Sequence, residues 1–367
     1  MSPSLLLLPN ETLLEILEAL GCRDILACQA TCRRLWTLIT DSILLQYEIE
    51  LFACGMLDGA RGLHTLDVQD RLDRLKRHSV AWEQLRWSGC VPLPHLVGCG
   101  TPVAVSRDVL VLPHAKPMPI MVSAACVQQV PSQLRGIDEY HSSYAIPEFS
   151  LVYAVQIDTA QDLITFRRYN INPLISTNRI HMCSLMTGEA HPLAYTLDVM
   201  DTVTPEARGN DIYGDLLLEV VRTRGTTGTA RLVLRNWKTG LIEAERMAPQ
   251  ACLLRSIFLD EWHILSLMLN GNDKYTASLW VASLSPASNT HAAPYVFSFP
   301  EFLHDYVDGA YLYASPLETA TPRHGCFYSD PTDRLILIYV SDFRRERFFI
   351  DIPTCTFQRY IKAHPPM

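Results

Sequence analysis

LPNETLLEILEALGCRDILACQATCRRLW, residues 8–36, sets the organisation of the chain. Leu13, Ile16, Leu17 and Leu20 recur at helical spacing, and Gly21 ends the run. Either Asn10 caps this helix or Pro9 occupies its first turn, where a missing N–H costs nothing. Asp24 reads as the cap of a second short helix with Ile25, Leu26 and Cys28. A third runs from Arg33 to Ile39, and a fourth covers residues 42–54. Leu13 and Leu14 are adjacent, as are Ile16 and Leu17, so apolar side chains fall on more than one face. So short a helical cluster does not stabilise itself easily. One face packs inward and the other asks for a partner.

Three pieces of this stretch stand in order. They are Leu8-Pro9-x-Glu11-x-Leu13-x-x-Ile16-Leu17-x-x-Leu20, then Asp24-Ile25-Leu26, then Thr31-Cys32-Arg33-x-Leu35-Trp36. Together they resemble an F-box. The resemblance implies that the free face docks on a Skp-type adaptor and, through it, on a cullin. It makes Leu8, Pro9, Leu13, Ile16, Leu17, Ile25, Leu26 and Trp36 candidates for adaptor contact or its immediate support. An ordinary helical cap would share the periodicity. It would not require the proline, the acidic residues and the Cys-Arg pair at these positions together.

A bridge follows. Residues 56–59 read as a turn, and Asp67 caps a helix with Leu72, Leu75, Trp82 and Leu85 on an apolar side. Arg71, Arg74, Lys76 and Arg77 alternate with acidic residues, which reads as a solvated face. Beyond Cys90 the chain turns to short runs rich in Val, Ile, Leu, Phe and Tyr, punctuated by Pro and Gly, which read as strands. DLITFRRY from Asp162, DLLLEVVR from Asp215, WHILSLML from Trp262 and DRLILIYV from Asp333 align with one another. Each is followed by a second strand: RIHMCSLMTG, ARLVLRNWKTG, TASLWVASLS and RERFFIDIPT. Two of these end in Thr-Gly, at Gly188 and Gly240, where glycine supplies a positive φ. The first two separations suit propeller blades of roughly 40–50 residues. The third is longer and implies an insertion or an extra half-blade near PYVFSFPEFLHDY. Strands near residues 103–112 and 120–127 begin a further repeat. The expected fold is therefore α+β and multidomain: an F-box over residues 1–54, a helical linker over 55–90 and an all-β, β-propeller-like domain over 91–367. A β-sandwich is the alternative. Trp82, Leu85 and Trp87 match a W-x-x-L-x-W motif, so the whole chain resembles F-box proteins of mushroom-forming fungi with a divergent propeller-like domain.

Composition narrows the function. The chain has 367 residues, 48% hydrophobic and 19% charged, with net charge −8, enough apolar residues for a large core and no basic excess for nucleic acid. The eleven cysteines form no repeated close pair. Cys22, Cys28 and Cys32 lack a fourth ligand, so they read as free thiols suited to a reducing compartment. The Leu5–Leu8 run is too short for a signal peptide, and no stretch of about 18 apolar residues predicts a membrane span. The expected location is cytoplasmic or nuclear.

Nucleophile elbows, phosphate loops, dinucleotide fingerprints and zinc-protease motifs are missing from the sequence. Arg224-Gly-Thr-Thr-Gly-Thr229 reads as a hairpin loop. His181 and His191 could meet across a hairpin but lack a third ligand, and Asp330 and Asp333 flank a Pro-Thr turn. No catalytic residue, metal or cofactor is expected. The reading is a substrate-recognition subunit of a Skp-cullin-F-box ubiquitin ligase, not an enzyme, with its β domain holding a target protein. The alternatives are a propeller scaffold without a ligase role, or an enzyme with an unrecognised site. Phe302, Tyr306 and Tyr311 lie in an aromatic-rich segment and are the candidate target contacts. The rival for that segment is blade core.

Overall fold

The computed structural model describes residues 5–59, 66–86, 104–115, 121–132, 134–169, 178–195, 210–222, 230–248, 252–270, 276–285, 293–299, 307–314, 317, 326–330, 334–342 and 347–364. After a single 3-10 turn, Leu5–Leu7, come α1 (Asn10–Glu18), α2 (Cys22–Gln29), α3 (Arg33–Asp41) and α4 (Ile43–Ala53). A short strand, β1 (Met56–Asp58), and α5 (Val68–Glu83) follow. The elements described after α5 are β strands until a last helix, α6 (Thr354–Ala363).

The β strands form antiparallel blades. The first is β2 (Ala104–Ser106), β3 (Val109–Ala115), β4 (Met121–Gln129) and the first part of the long strand β5 (Tyr140–Asp158). Up to Leu151, β5 pairs with β4; from Leu151 onward it pairs with β6 (Leu163–Tyr169). The register with β4 jumps between Val122↔Ser150 and Ala124↔Ala145, so β5 leaves one blade through a bulge and enters the next. The second blade is completed by β7 (Asn178–Ser184). The third is β8 (Asn210–Tyr213), β9 (Leu216–Arg222), β10 (Ala230–Asn236) and β11 (Ile242–Met247). The fourth is β12 (Cys252–Phe258), β13 (His263–Asn270), β14 (Thr276–Ser283) and β15 (Tyr295–Ser298). The fifth has β16 (Val307–Ala314), β18 (Leu335–Asp342) and β19 (Arg347–Pro353). The intervening strand β17 (Phe327–Ser329) pairs instead with β1.

One backbone hydrogen bond recurs five times and marks the repeat. The amide just past the third strand donates to the carbonyl of the residue that opens the second. Val130 donates to Asp108 at 2.6 Å, Leu185 to Asp162 at 2.8 Å and Trp237 to Asp215 at 2.9 Å. Leu284 donates to Trp262 at 2.7 Å and Thr354 to Arg334 at 2.8 Å. The openers Asp162, Asp215 and Trp262 are those expected from sequence; in the last blade the role falls to Arg334, one residue beyond Asp333.

Strand alternation fixes how the blades meet. In the fourth blade Ile257, Leu265, Leu267, Leu279 and Val281 pack with Leu312, Ile336, Ile338 and Val340 of the fifth. The other face, with Phe258, Ile264, Met268 and Trp280, packs with Leu218, Val220, Leu232 and Leu234 of the third. The first and second blades share Val111, Val127, Ile157, Ile164 and Phe166, and the second and third share Leu163, Met182, Leu217 and Trp237. Sheets buried on both faces and stacked in sequence are a propeller-like array, not a two-layer sandwich. The fold is thus a small helical region followed by an all-β domain of five propeller blades.

The chain divides into two compact units. One holds Met1–Pro92, Pro131–Asp138 and Thr321–Asp330; the other holds Leu93–Val130, Glu139–Ala320 and Pro331–Met367. Within the long third gap, Phe327–Ser329 pair with β1, and Cys326 and Phe327 pack in the helical unit instead of the β repeat. Residues 56–59, read as a turn, contribute the strand β1, because Leu57 pairs with Tyr328. Tyr47, Leu51, Leu72, Leu75, Cys326 and Phe327 form a second core there. Arg71 was assigned to a solvated face. It is buried and pairs with Asp58 at 2.8 Å, and the Tyr47 hydroxyl donates to the same carboxylate at 2.8 Å. Burial and the Asp58 charge push the Tyr47 hydroxyl pKa well up.

Candidate functional site

The first helices divide the eight candidate residues into two sets. Leu13, Leu17 and Ile25 are buried with Leu35, Ile39 and Leu45 in a core of their own. They support the helices and do not face outward. Leu8 is partly buried against that core. Pro9, Ile16, Leu26 and Trp36 are exposed, Trp36 by 52%. Leu7, Ile43 and Phe52 add further exposed apolar surface, Leu7 at 81%. The surplus apolar face expected from sequence is thus present, and it includes side chains outside the motif.

The helix starts differ from expectation. Pro9 is the N-cap of α1, and Asn10 is its first helical residue. The Asn10 side chain does not cap; its Oδ1 accepts from Arg34 Nη2 at 2.6 Å. α2 begins at Cys22 behind Gly21, which places Asp24 within its first turn. There its charge suits the helix dipole. Ser42, where the fourth helix was expected to begin, is the N-cap of α4, its hydroxyl accepting from the Leu45 amide.

Arg34 was missed by sequence reasoning, because it occupies the variable position of the Cys-Arg-x-Leu-Trp piece. Its guanidinium donates to the carbonyls of Leu6 and, at 2.8 Å, Leu8, besides Asn10. One α3 side chain therefore ties down the strand of backbone that presents Leu7 and Pro9. The available signal was a second arginine beside Arg33, and planar forked donors suit several carbonyls at once.

Among its described residues the β domain offers isolated polar groups. Asp211 is buried, accepts from the Phe258 amide at 2.8 Å, and lies near Arg334, which donates to the Phe258 carbonyl. Burial pushes the Asp211 carboxyl up, opposed by Arg334 and the backbone donors. The group links three blades and lies away from solvent. His191 bonds the Gln161 carbonyl at 2.9 Å and stands edge-on to Trp237. Among the described residues no group of three His, Cys, Asp or Glu is placed to hold a metal, and Cys22, Cys28, Cys32, Cys54, Cys126, Cys183, Cys326 and Cys355 are free. No helix there is long and apolar enough to cross a membrane. Residues 224–229, Asp333 and Trp87 lie outside the described residues, as do Phe302 and Tyr306. Tyr311 sits on β16, exposed and stacked on Tyr313 with ring centres 6.3 Å apart.

Residues 5–47 match the F-box-like family. The helical region is F-box-like. The match ends within α4, so it covers the F-box-like core and leaves β1, α5 and the β domain outside it. No curated protein matches the chain. Among solved structures, the chain is similar to the Dos1 propeller at 8% identity and TM-score 0.34, covering 68% of this chain and 58% of that one. It is also similar to a cobalt-substituted apocarotenoid oxygenase of Synechocystis, at 9% identity and TM-score 0.37, covering 73% and 62%. The C-terminal WD40 domain of Sif2 matches at 12% identity and TM-score 0.32, covering 67% and 55%. The chain spans only about 55–62% of these structures' lengths, so the blade assignment rests on its own strand order and hydrogen bonds.

Proposed function

We propose that this protein is a substrate-recognition subunit of a Skp-cullin-F-box ubiquitin ligase, without catalytic chemistry of its own. The observation that carries this is the F-box-like region with its own closed core and an outward apolar set of Leu7, Pro9, Ile16, Leu26 and Trp36. A helical cap that only served the β domain would have no use for that set. In this reading the region docks a Skp-type adaptor, and the β domain holds a target protein. Tethering raises the target's effective concentration beside the ubiquitin-loaded enzyme. The two halves act in a cytoplasmic or nuclear setting. Trp82, Leu85 and Trp87 support kinship with the F-box proteins of mushroom-forming fungi.

The test is co-purification of the full chain with a Skp-type adaptor. Leu26→Ala with Trp36→Ala should abolish it while leaving the thermal melt unchanged, because central anchors carry most interface energy. Retained adaptor binding by this variant, or none by the unaltered chain, would sink the assignment.

A further inference from the structure

A cavity of about 640 Å³ lies where blade four, β19 and α6 meet. Leu279 and Phe297 of blade four, Ile350 and Ile352 of β19, and Phe357 and Tyr360 of α6 line it. Its floor is continuous with the core that blades four and five share, because Leu279 and Phe357 are buried there and Phe297, Ile350 and Ile352 pack against it. Protein interiors are close-packed, so an apolar space of this size is not ordinary packing slack. It falls within the range of small-molecule sites, which are mostly apolar with a few polar groups.

The walls say what fits. Phe297 stands edge-on to Phe357 with ring centres 5.5 Å apart and to Tyr360 at 5.0 Å, and Tyr360 is braced by Tyr295 at 5.7 Å. These rings hold one another in place, so the aromatic wall is formed before anything binds, and aromatic faces and edges favour a flat ring as their next neighbour. Arg347 also lines the cavity and is the one charged residue among those that do. Its forked guanidinium suits a carboxylate, and apolar walls strengthen such a pair relative to water. A cation in the same place would meet like charge with no carboxylate on the lining to offset it.

We propose that this cavity binds a small aromatic carboxylic acid, its ring system among Phe297, Phe357 and Tyr360 and its carboxylate on Arg347. The site goes beyond the substrate-recognition reading and does not rest on it, since every lining residue belongs to the β domain. The test omits the adaptor, so failure of either is told apart from failure of the other.

The probes are naphthoic acid, its neutral amide and the cationic naphthylmethylamine, each titrated with the full chain and followed by ligand-observed nuclear magnetic resonance. The acid should bind saturably with Kd of about 1 mM or tighter, the affinity that ordinary ligand efficiency gives a molecule of this size. The amide should bind at least about tenfold more weakly, and the amine more weakly still. Arg347→Gln should weaken the acid by a similar factor and leave the amide unchanged, which also shows the cavity intact. Thr356 lines the cavity from an exposed position on α6, and Thr356→Trp should exclude acid and amide alike. No saturable binding of the acid, equal affinity for the three probes, or an acid indifferent to both substitutions would overturn the proposal. So would a dimer in sedimentation that Thr356→Trp dissociates, because a second copy would then fill the cavity. If either variant lowers the melt, the three probes on the unaltered chain decide the question.

Discussion

The ring of Tyr195 lies against the α-carbon of Gly240, where a β-carbon would stand 2.5 Å from its Cδ1. One blade earlier Tyr144 lies against Gly188, where a β-carbon would stand 2.3 Å from its Cδ2. Both glycines have φ near +75°, at +76° and +75°. The Thr-Gly turns therefore answer two demands: a left-handed backbone and a close-packed ring. Gly240→Ala should lower stability by about 2 kcal/mol or more, because strain and overlap add. The cost should shrink when Tyr195→Ala is combined with it, and a double-mutant cycle from chemical denaturation measures the coupling. An unchanged cost would mean that φ alone decides.

Leu13 and Trp36 separate folding from docking. Leu13→Ala empties a core position that is 1% exposed and should cost about 2–5 kcal/mol. Trp36→Ala should leave the melt almost unmoved while weakening adaptor capture. Thermal melts beside pull-downs check both, and a large melting shift for Trp36→Ala would place its ring in the core.

The Asp58 carboxylate is held by Arg71 and Tyr47 at 2.8 Å each. Arg71→Met leaves a partly buried carboxylate without its cation and should cost about 2 kcal/mol. Tyr47→Phe removes one hydrogen bond to the charge and should cost about 1.5 kcal/mol. Urea denaturation ranks them, and the reverse order would make the hydroxyl the principal partner.

A fragment of residues 1–92 keeps the core of Leu13, Leu17, Ile25, Leu35, Ile39 and Leu45 but lacks Cys326 and Phe327. Hydrogen exchange should find α5 amides less protected in the fragment than in the full chain, with α1–α3 protected in both. Equal protection of α5 would show that Phe327 is dispensable.

Asp260 caps the turn before β13. It accepts from the amides of Trp262 and His263 and meets His263 Nδ1, each at 2.9 Å. Burial raises its pKa, but His263 and the amides outweigh this and leave it below the usual carboxylate value. A depressed folded pKa contributes stability above the unfolded value, near 3.9, that is lost as pH falls through the folded one. The stability gap between the unaltered chain and Asp260→Asn should therefore be full at pH 6 and narrow towards pH 3. A gap that widens on acidification would reverse the sign of the shift.

Local signals reached far in this chain. Helical spacing from Leu13 to Leu20 showed where α1 lies, and the cap residue Asp67 marked α5, because a cap depends on residues within one turn. The recurring strand pairs after Asp162, Asp215 and Trp262 determined the blades, because both faces of each sheet are buried and the alternation is written into consecutive residues. Distant pairings decided the rest. Nothing within a few residues of Leu57 tells that it meets Tyr328, so a strand read as a turn. Nothing beside Arg71 tells that Asp58 waits for it, so a buried ion pair read as solvated charge. Periodicity showed that the first helices have two apolar faces. Which one closes over Ile39 and which leaves Trp36 in solvent depends on how α1, α2 and α3 cross, and only the tertiary structure decided that.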